Sequence, residues 1–192
     1  MDAAPKHARS FYRRWVGACS LGWIVGLALV AGIATALDGV GISGAQAMVG
    51  LGFGAGVGYL QGRMLAPWLG GPRGWTVAST LGMGSVFILH DVGAAAGVAV
   101  PFNAPLYVLA GALVTGWWQR ALLRRVSPQA VRWVFASLIG WGLPAVGVAM
   151  GEPGAAGRIG GIAALVSYLF GGVLLGASTG GILADLLRPR PE

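Results

Sequence analysis

Apolar positions along this chain gather into six long runs, separated by short polar or glycine-rich breaks. The runs cover roughly residues 15–37, 45–65, 75–98, 104–123, 131–150 and 159–187. Each reaches the length of about 20 residues that a helix needs to cross a hydrocarbon core of about 30 Å. The pattern predicts an all-α integral membrane fold of six transmembrane helices. The last run is the longest, and it is expected to tilt or to break near Gly171-Gly172. The first run is too long for a signal-peptide core and lacks a small-residue cleavage site, so it reads as a retained helix.

The breaks differ in charge. Lys6, Arg9, Arg13 and Arg14 precede the first run, Arg63 and Arg73 flank the second break, and Arg120, Arg124, Arg125 and Arg132 flank the fourth. Arg188 and Arg190 follow the last run. Of the 13 Lys and Arg residues only Arg158 falls on the other side, together with Asp38, Asp91 and Glu152. By the positive-inside rule both termini and the two basic breaks are cytoplasmic. The chain then divides into a basic cytoplasmic segment (1–14), a membrane domain (15–187) and a cytoplasmic tail (188–192).

The membrane domain reads as three copies of one helical hairpin, at roughly 15–66, 75–125 and 131–187. Trp15-Val-Gly-Ala18-Cys19-Ser-Leu-Gly22, Trp75-Thr-Val-Ala78-Ser79-Thr-Leu-Gly82 and Trp133-Val-Phe-Ala136-Ser137-Leu-Ile-Gly140 share the pattern Trp-x-x-Ala-[Cys/Ser]-x-x-Gly. In the even runs, Gly58-Tyr-Leu-Gln61-x-x-x-Leu65 matches Gly116-Trp-Trp-Gln119-x-x-x-Leu123, and Thr179 stands where the third glutamine would be. All three copies would insert the same way up.

These residues carry physical expectations. Trp15, Trp75 and Trp133 stand beside Arg where the chain enters the bilayer, so they are expected to be interfacial anchors. Ala18 with Gly22, Ala78 with Gly82, and Ala136 with Gly140 form small-xxx-small faces, as do Gly50, Gly54, Gly58 and Gly62, and Gly172, Gly176 and Gly180. Such faces are expected to zip each hairpin together. Gln61, Gln119, Ser79, Ser137 and Thr179 are the polar positions within the membrane, read as interhelical hydrogen-bonding groups or, alternatively, as the lining of a solute path. Cys19 reads as a packing residue. His90 and Asp91 have no counterpart in the other copies and mark a candidate site on the outer face, or a helix end meeting water. Asp185 is expected to cap its helix or pair with Arg188.

Composition narrows the function. Only 10% of residues are charged and 56% are hydrophobic, too few charges to solvate a soluble domain, whose charged share is roughly 25%. The net charge of +7 sits at the ends of apolar runs, so it points to anionic lipid headgroups on the cytoplasmic face and not to nucleic acid. One cysteine and two histidines leave no metal-site spacing. Gly176-Ala-Ser178-Thr-Gly180 spells a nucleophile elbow, but that motif needs a strand-to-helix turn in a soluble sheet.

Two resemblances follow from these motifs. Gly41-Ile-Ser43-Gly44 resembles the Gly-x-Ser-Gly of rhomboid intramembrane proteases, which also have six spans, with His90 on the same side as Ser43. Ser43 lies in a loop, however, and His90 lacks the glycine-patterned helix of that family. The repeated Trp-x-x-Ala-Ser-x-x-Gly and Gly-x-x-Gln-x-x-x-Leu pair resembles a motif of uncharacterised bacterial multi-pass proteins. That likeness covers the second to fifth helices well, the first in part and the sixth poorly. It implies a bacterial inner-membrane protein and brings no activity with it. The leading expectation is a non-enzymatic accessory or structural subunit, as a homo-oligomer or within a larger membrane complex. The alternatives are a small-solute transporter or channel and, more remotely, a serine hydrolase. No cofactor is expected. Room is left for bound lipid or pigment between the hairpins; Trp117, Trp118 and Trp141 are the aromatic residues that could contact it, with core or lipid-facing packing as their favoured reading.

Overall fold

A computed structural model describes residues 3–99, 101–150 and 157–188, with side chains from 9 onward and, in the last segment, from 159. The connection with Glu152, the side chains of Lys6 and Arg158, and the tail beyond 188 with Arg190 lie outside the described residues. The chain is all-helical: α1 (Ala3–Gly39), α2 (Ala47–Leu69), α3 (Arg73–Ala95), α4 (Ala104–Leu123), α5 (Arg132–Met150) and α6 (Gly157–Leu186). Four segments are long and apolar enough to cross a membrane: Arg9–Gly39, Arg73–Ala95, Arg132–Met150 and Ile159–Leu186. α2 and α4 fall outside that set. α2 carries glycine at 50, 52, 54, 56, 58 and 62, which adds little hydropathy.

Local chemistry sets the helix ends. α2 stops at Gly70, whose φ of 74° is open to a residue without a Cβ. α4 starts at Asn103, whose side chain accepts the Leu106 N–H at 3.0 Å, and Pro105 follows in the first turn. α1 begins about three turns before the apolar run, because its basic prelude continues the same helix. The break expected near Gly171-Gly172 does not occur, and α6 runs unbroken. Those glycines are contact points. A Cβ on Gly172 would stand 2.6 Å from the Cys19 carbonyl of α1, and one on Gly171 would strike the Trp23 ring.

Consecutive helices pack side by side and α6 packs on α1, so the six form a closed ring. Apolar burial does not drive helix association within lipid, so close packing must carry it. The glycine faces do this in two ways. On the odd helices they join partners within a hairpin: Gly22 meets Val57 of α2, Gly82 meets Thr115 of α4, and Gly140 meets Leu175 and Thr179 of α6. On the even helices they join one hairpin to the next. Gly50, Gly54, Gly58 and Gly62 face α3, Gly116 faces α5, and Gly172, Gly176 and Gly180 face α1. The expectation that every stripe zips its own hairpin therefore fails for the even helices. α2 has a second face for that task, with Gly52 and Gly56 against Gly22, Gly26 and Val30 of α1.

Thr115 is 1% exposed and its hydroxyl has no hydrogen-bond partner among the described residues. Val57 stands four residues before Gln61 as Thr115 does before Gln119, and both meet a glycine of the preceding helix. Thr115→Val keeps the shape and removes an unpaired buried hydroxyl. It is expected to raise stability by about 1 kcal/mol in unfolding titrations in detergent. A loss of similar size would show that the hydroxyl is engaged.

Candidate functional site

Two layers fill the ring. The first is polar and aromatic. Trp75 Nε1 donates to Gln61 Oε1 at 3.0 Å, and Gln61 Nε2 donates to Cys19 Sγ at 3.2 Å. Trp133 Nε1 donates to Gln119 Oε1 at 2.7 Å, and Gln119 Nε2 donates to Ser79 Oγ at 2.8 Å. Trp15 Nε1 donates to Thr179 Oγ1 at 2.9 Å, which links α1 to α6. Ser79 and Ser137 donate to the carbonyls of Trp75 and Ala112. The three indoles are no more than 2% exposed, and they meet inside the ring, with Trp133 5.4 Å from Trp75 and 6.0 Å from Trp15.

The interfacial-anchor expectation for Trp15, Trp75 and Trp133 is thereby corrected. A tryptophan next to arginine at a helix end has the composition of an anchor, but these side chains point inward, where a glutamine or threonine satisfies each N–H. Gln61, Gln119, Ser79, Ser137 and Thr179 are all buried, and their polar atoms are bonded to tryptophan, to Cys19, to each other or to backbone. They line neither of the two cavities described below. These pairings also place Trp15 of α1 and the starts of α3 and α5 level with the C-terminal halves of α2, α4 and α6, at one end of the ring, the basic end.

The second layer is an apolar cavity of about 240 Å³ towards the opposite end. All six helices contribute to its wall. Trp23, Met83 and Trp141 lie eight residues beyond Trp15, Trp75 and Trp133, about 12 Å farther along their helices. Phe53, Phe87 and Phe102 add aromatic surface nearer the open end. Trp23 packs on Phe53 at 4.4 Å and on Trp141 at 5.9 Å. Its one donor is committed to the Tyr168 carbonyl at 3.0 Å, so the ring presents an apolar face. Among the described residues no charged side chain lines the space. An apolar cavity of about 150 Å³ stays dry and admits a benzene-sized guest. This one is larger and more aromatic.

His90 and Asp91 lie at the same end and are engaged structurally. Asp91 accepts the backbone N–H groups of Gln46 at 2.9 Å and Ala47 at 2.7 Å. Its carboxylate therefore caps the start of α2 from a neighbouring helix, where the helix dipole favours an anion. His90 Nδ1 pairs with the Tyr107 hydroxyl at 3.1 Å, and its ring packs against Phe102. Ser43 is not its partner. Ser178 sits in mid-helix and donates to the Leu174 carbonyl at 2.8 Å. Asp185 pairs with Arg132 of α5 at 2.6 Å and not with Arg188. Both members are about half exposed, so the pair adds at most about 1 kcal/mol. Among the described residues no three potential metal ligands gather in one place.

Trp141, favoured as a core or lipid-facing residue with ligand contact as the lesser alternative, lines the cavity, which sequence reading missed. The signal was present in the spacing, since tryptophan recurs eight residues after two of the three motif tryptophans. Trp117 and Trp118, named with it, are exposed and line neither cavity. Comparison with known proteins finds no family model, no curated sequence and no solved structure that matches this chain.

Proposed function

We propose that this chain is a six-span membrane protein that holds one apolar, ring-sized molecule or chain end in its aromatic cavity. The observation that carries the reading is the cavity itself, walled by all six helices, lined by tryptophan and phenylalanine and, among the described residues, free of charged side chains. The layer of Trp15, Trp75 and Trp133 lies between it and the basic end. The site is therefore a one-ended binding pocket in this reading, and among the described residues the solute-path alternative has only Gln46 and Tyr168 as polar residues in the lining. α2 and α4 have 23 and 20 residues and stand in one ring with the four segments apolar enough to span. Helices of that length reach across a hydrocarbon core of about 30 Å. The arginines gathered at one end favour that end as cytoplasmic, in a bacterial inner membrane by the resemblance of its motifs. The matching Trp-to-Gln-to-Cys/Ser hydrogen bonds of two hairpins favour their origin as copies of one unit.

Protein extracted in mild detergent should carry a small apolar molecule by native mass spectrometry. Val108→Trp and Ala145→Phe place extra rings in the cavity wall and should abolish that adduct while the protein stays folded. Retention of the same molecule by both filled variants would remove the cavity as its site. A second reading, the accessory subunit, draws on exposed faces where Gly17, Gly32 and Gly161 leave open space. It predicts a co-purifying protein chain in the same spectrum, and a lone chain would count against it.

A further inference from the structure

The basic end carries a second cavity, unlike the first in every respect. Arg9 and Arg13 lie one turn apart on α1 and so share a face. Across the seam stand Gly181 and Ala184 of α6 and Arg188, two residues beyond its end. Together with Tyr12 they line a groove of about 480 Å³. The Tyr12 hydroxyl donates to the Ala177 carbonyl at 3.2 Å, which fixes its ring as part of the wall. Gly181 and Ala184 keep the α6 side low. The carboxylate of Asp185 is turned to Arg132 of α5. The last turn of α6 also directs carbonyls toward this end, where cations are favoured.

Three guanidiniums, two on α1 and one just past the end of α6, present planar, forked donors suited to a phosphate group. The same two helices carry exposed apolar side chains farther along, among them Leu21 and Ile24 on α1 and Leu169 and Val173 on α6. We propose that this groove binds the phosphate headgroup of an anionic phospholipid, with the acyl chains lying on the apolar faces of α1 and α6. A soluble phosphate ester would use the arginines but not those faces. The inference rests on the membrane reading and is independent of whether the aromatic cavity is occupied.

The test uses the full chain in detergent, titrated with phosphatidylglycerol, phosphatidylcholine or inorganic phosphate and read by native mass spectrometry. One phosphatidylglycerol should be retained per chain, at least about tenfold more tightly than phosphatidylcholine. The triple variant Arg9→Gln, Arg13→Gln, Arg188→Gln should bind it about a hundredfold more weakly. The triple variant Arg63→Gln, Arg124→Gln, Arg125→Gln removes the same charge elsewhere and should stay within about twofold of wild type. Gly181 has open space where a Cβ would stand. Gly181→Leu therefore fills the groove without touching charge or fold, and should weaken binding by about tenfold. This variant decides the matter if the arginine variants do not fold. Equal loss in both triple variants, undiminished binding by Gly181→Leu, or equal retention of the two lipids would overturn the proposal. So would inorganic phosphate competing as well as the lipid, which would make the ligand a soluble anion.

Discussion

Trp133→Ala is expected to lower the unfolding free energy by about 4 kcal/mol or more. The indole is 2% exposed and contacts both other tryptophans of the layer, so truncation leaves a cavity between three hairpins. Loss of a buried tryptophan to alanine costs about 3–5 kcal/mol. Gln119 Oε1 would also lose its 2.7 Å donor in a place with no other partner at hand. Trp133→Phe separates the two effects. It keeps most of the ring and removes the N–H, so the expected loss is about 1–2 kcal/mol, the range of an interhelical hydrogen bond in a membrane protein. Trp118→Ala provides the contrast, since Trp118 is 44% exposed and its removal should cost less than about 1 kcal/mol. Unfolding by sodium dodecyl sulfate, followed by circular dichroism in mixed micelles, reads all three. Similar losses for Trp133→Ala and Trp118→Ala would mean that the motif tryptophans act as surface anchors after all.

Gly56→Ala should be nearly as costly, about 3 kcal/mol, although it adds a single methyl group. That methyl would collide with the backbone nitrogen of Gly26 and stand 2.6 Å from the Gly22 carbonyl. Both obstacles are main chain, so α1 and α2 must separate along their length to admit it. Packing is what holds helices together in lipid, and the loss cannot be recovered by burying the new methyl. Gly32→Ala, on α1 itself, should go the other way. Nothing lies within 4 Å of its Cβ position. Alanine is favoured over glycine in a helix by about 0.5–1 kcal/mol. Opposite signs for the two substitutions are the expected result in the same titration. Two neutral outcomes would show that α1 and α2 do not approach as closely as drawn.

Both predictions concern the framework, and the framework sets the binding site. Trp23, Met83 and Trp141 belong to the same helix faces as the tryptophan layer, two turns beyond it. If the α1–α2 contact opens, Trp23 moves with α1, and the wall it forms with Phe53 and Trp141 opens too. The tryptophan and glycine variants that destabilise the ring should therefore also lose any apolar guest, whereas Thr115→Val should keep it.

The number of helices, and most of their bounds to within about four residues, were legible in the run lengths, because a long apolar run has few other ways to satisfy its backbone. The start of α1 was not, because a charged prelude can continue a helix without continuing the apolar pattern. The motif Trp-x-x-Ala-[Cys/Ser]-x-x-Gly was also plain in the sequence, and so was its 14-residue spacing from glutamine to tryptophan. The direction of those tryptophans was not. Composition places an indole beside arginine at a helix end equally well for lipid and for interior. Only the rotation of each helix about its axis, settled by which glycine face meets which neighbour, turns Trp15, Trp75 and Trp133 inward. The same rotation decided that Gly50, Gly54, Gly58 and Gly62 meet α3 and not α1. Closure of the ring brought Arg9 and Arg13 beside Arg188, residues at opposite ends of the chain, and left the aromatic cavity at the far end. Periodicity along one helix specifies which residues share a face. What that face meets depends on distant segments, so the sequence by itself determined the helices and their motifs, and the tertiary structure alone decided what they enclose.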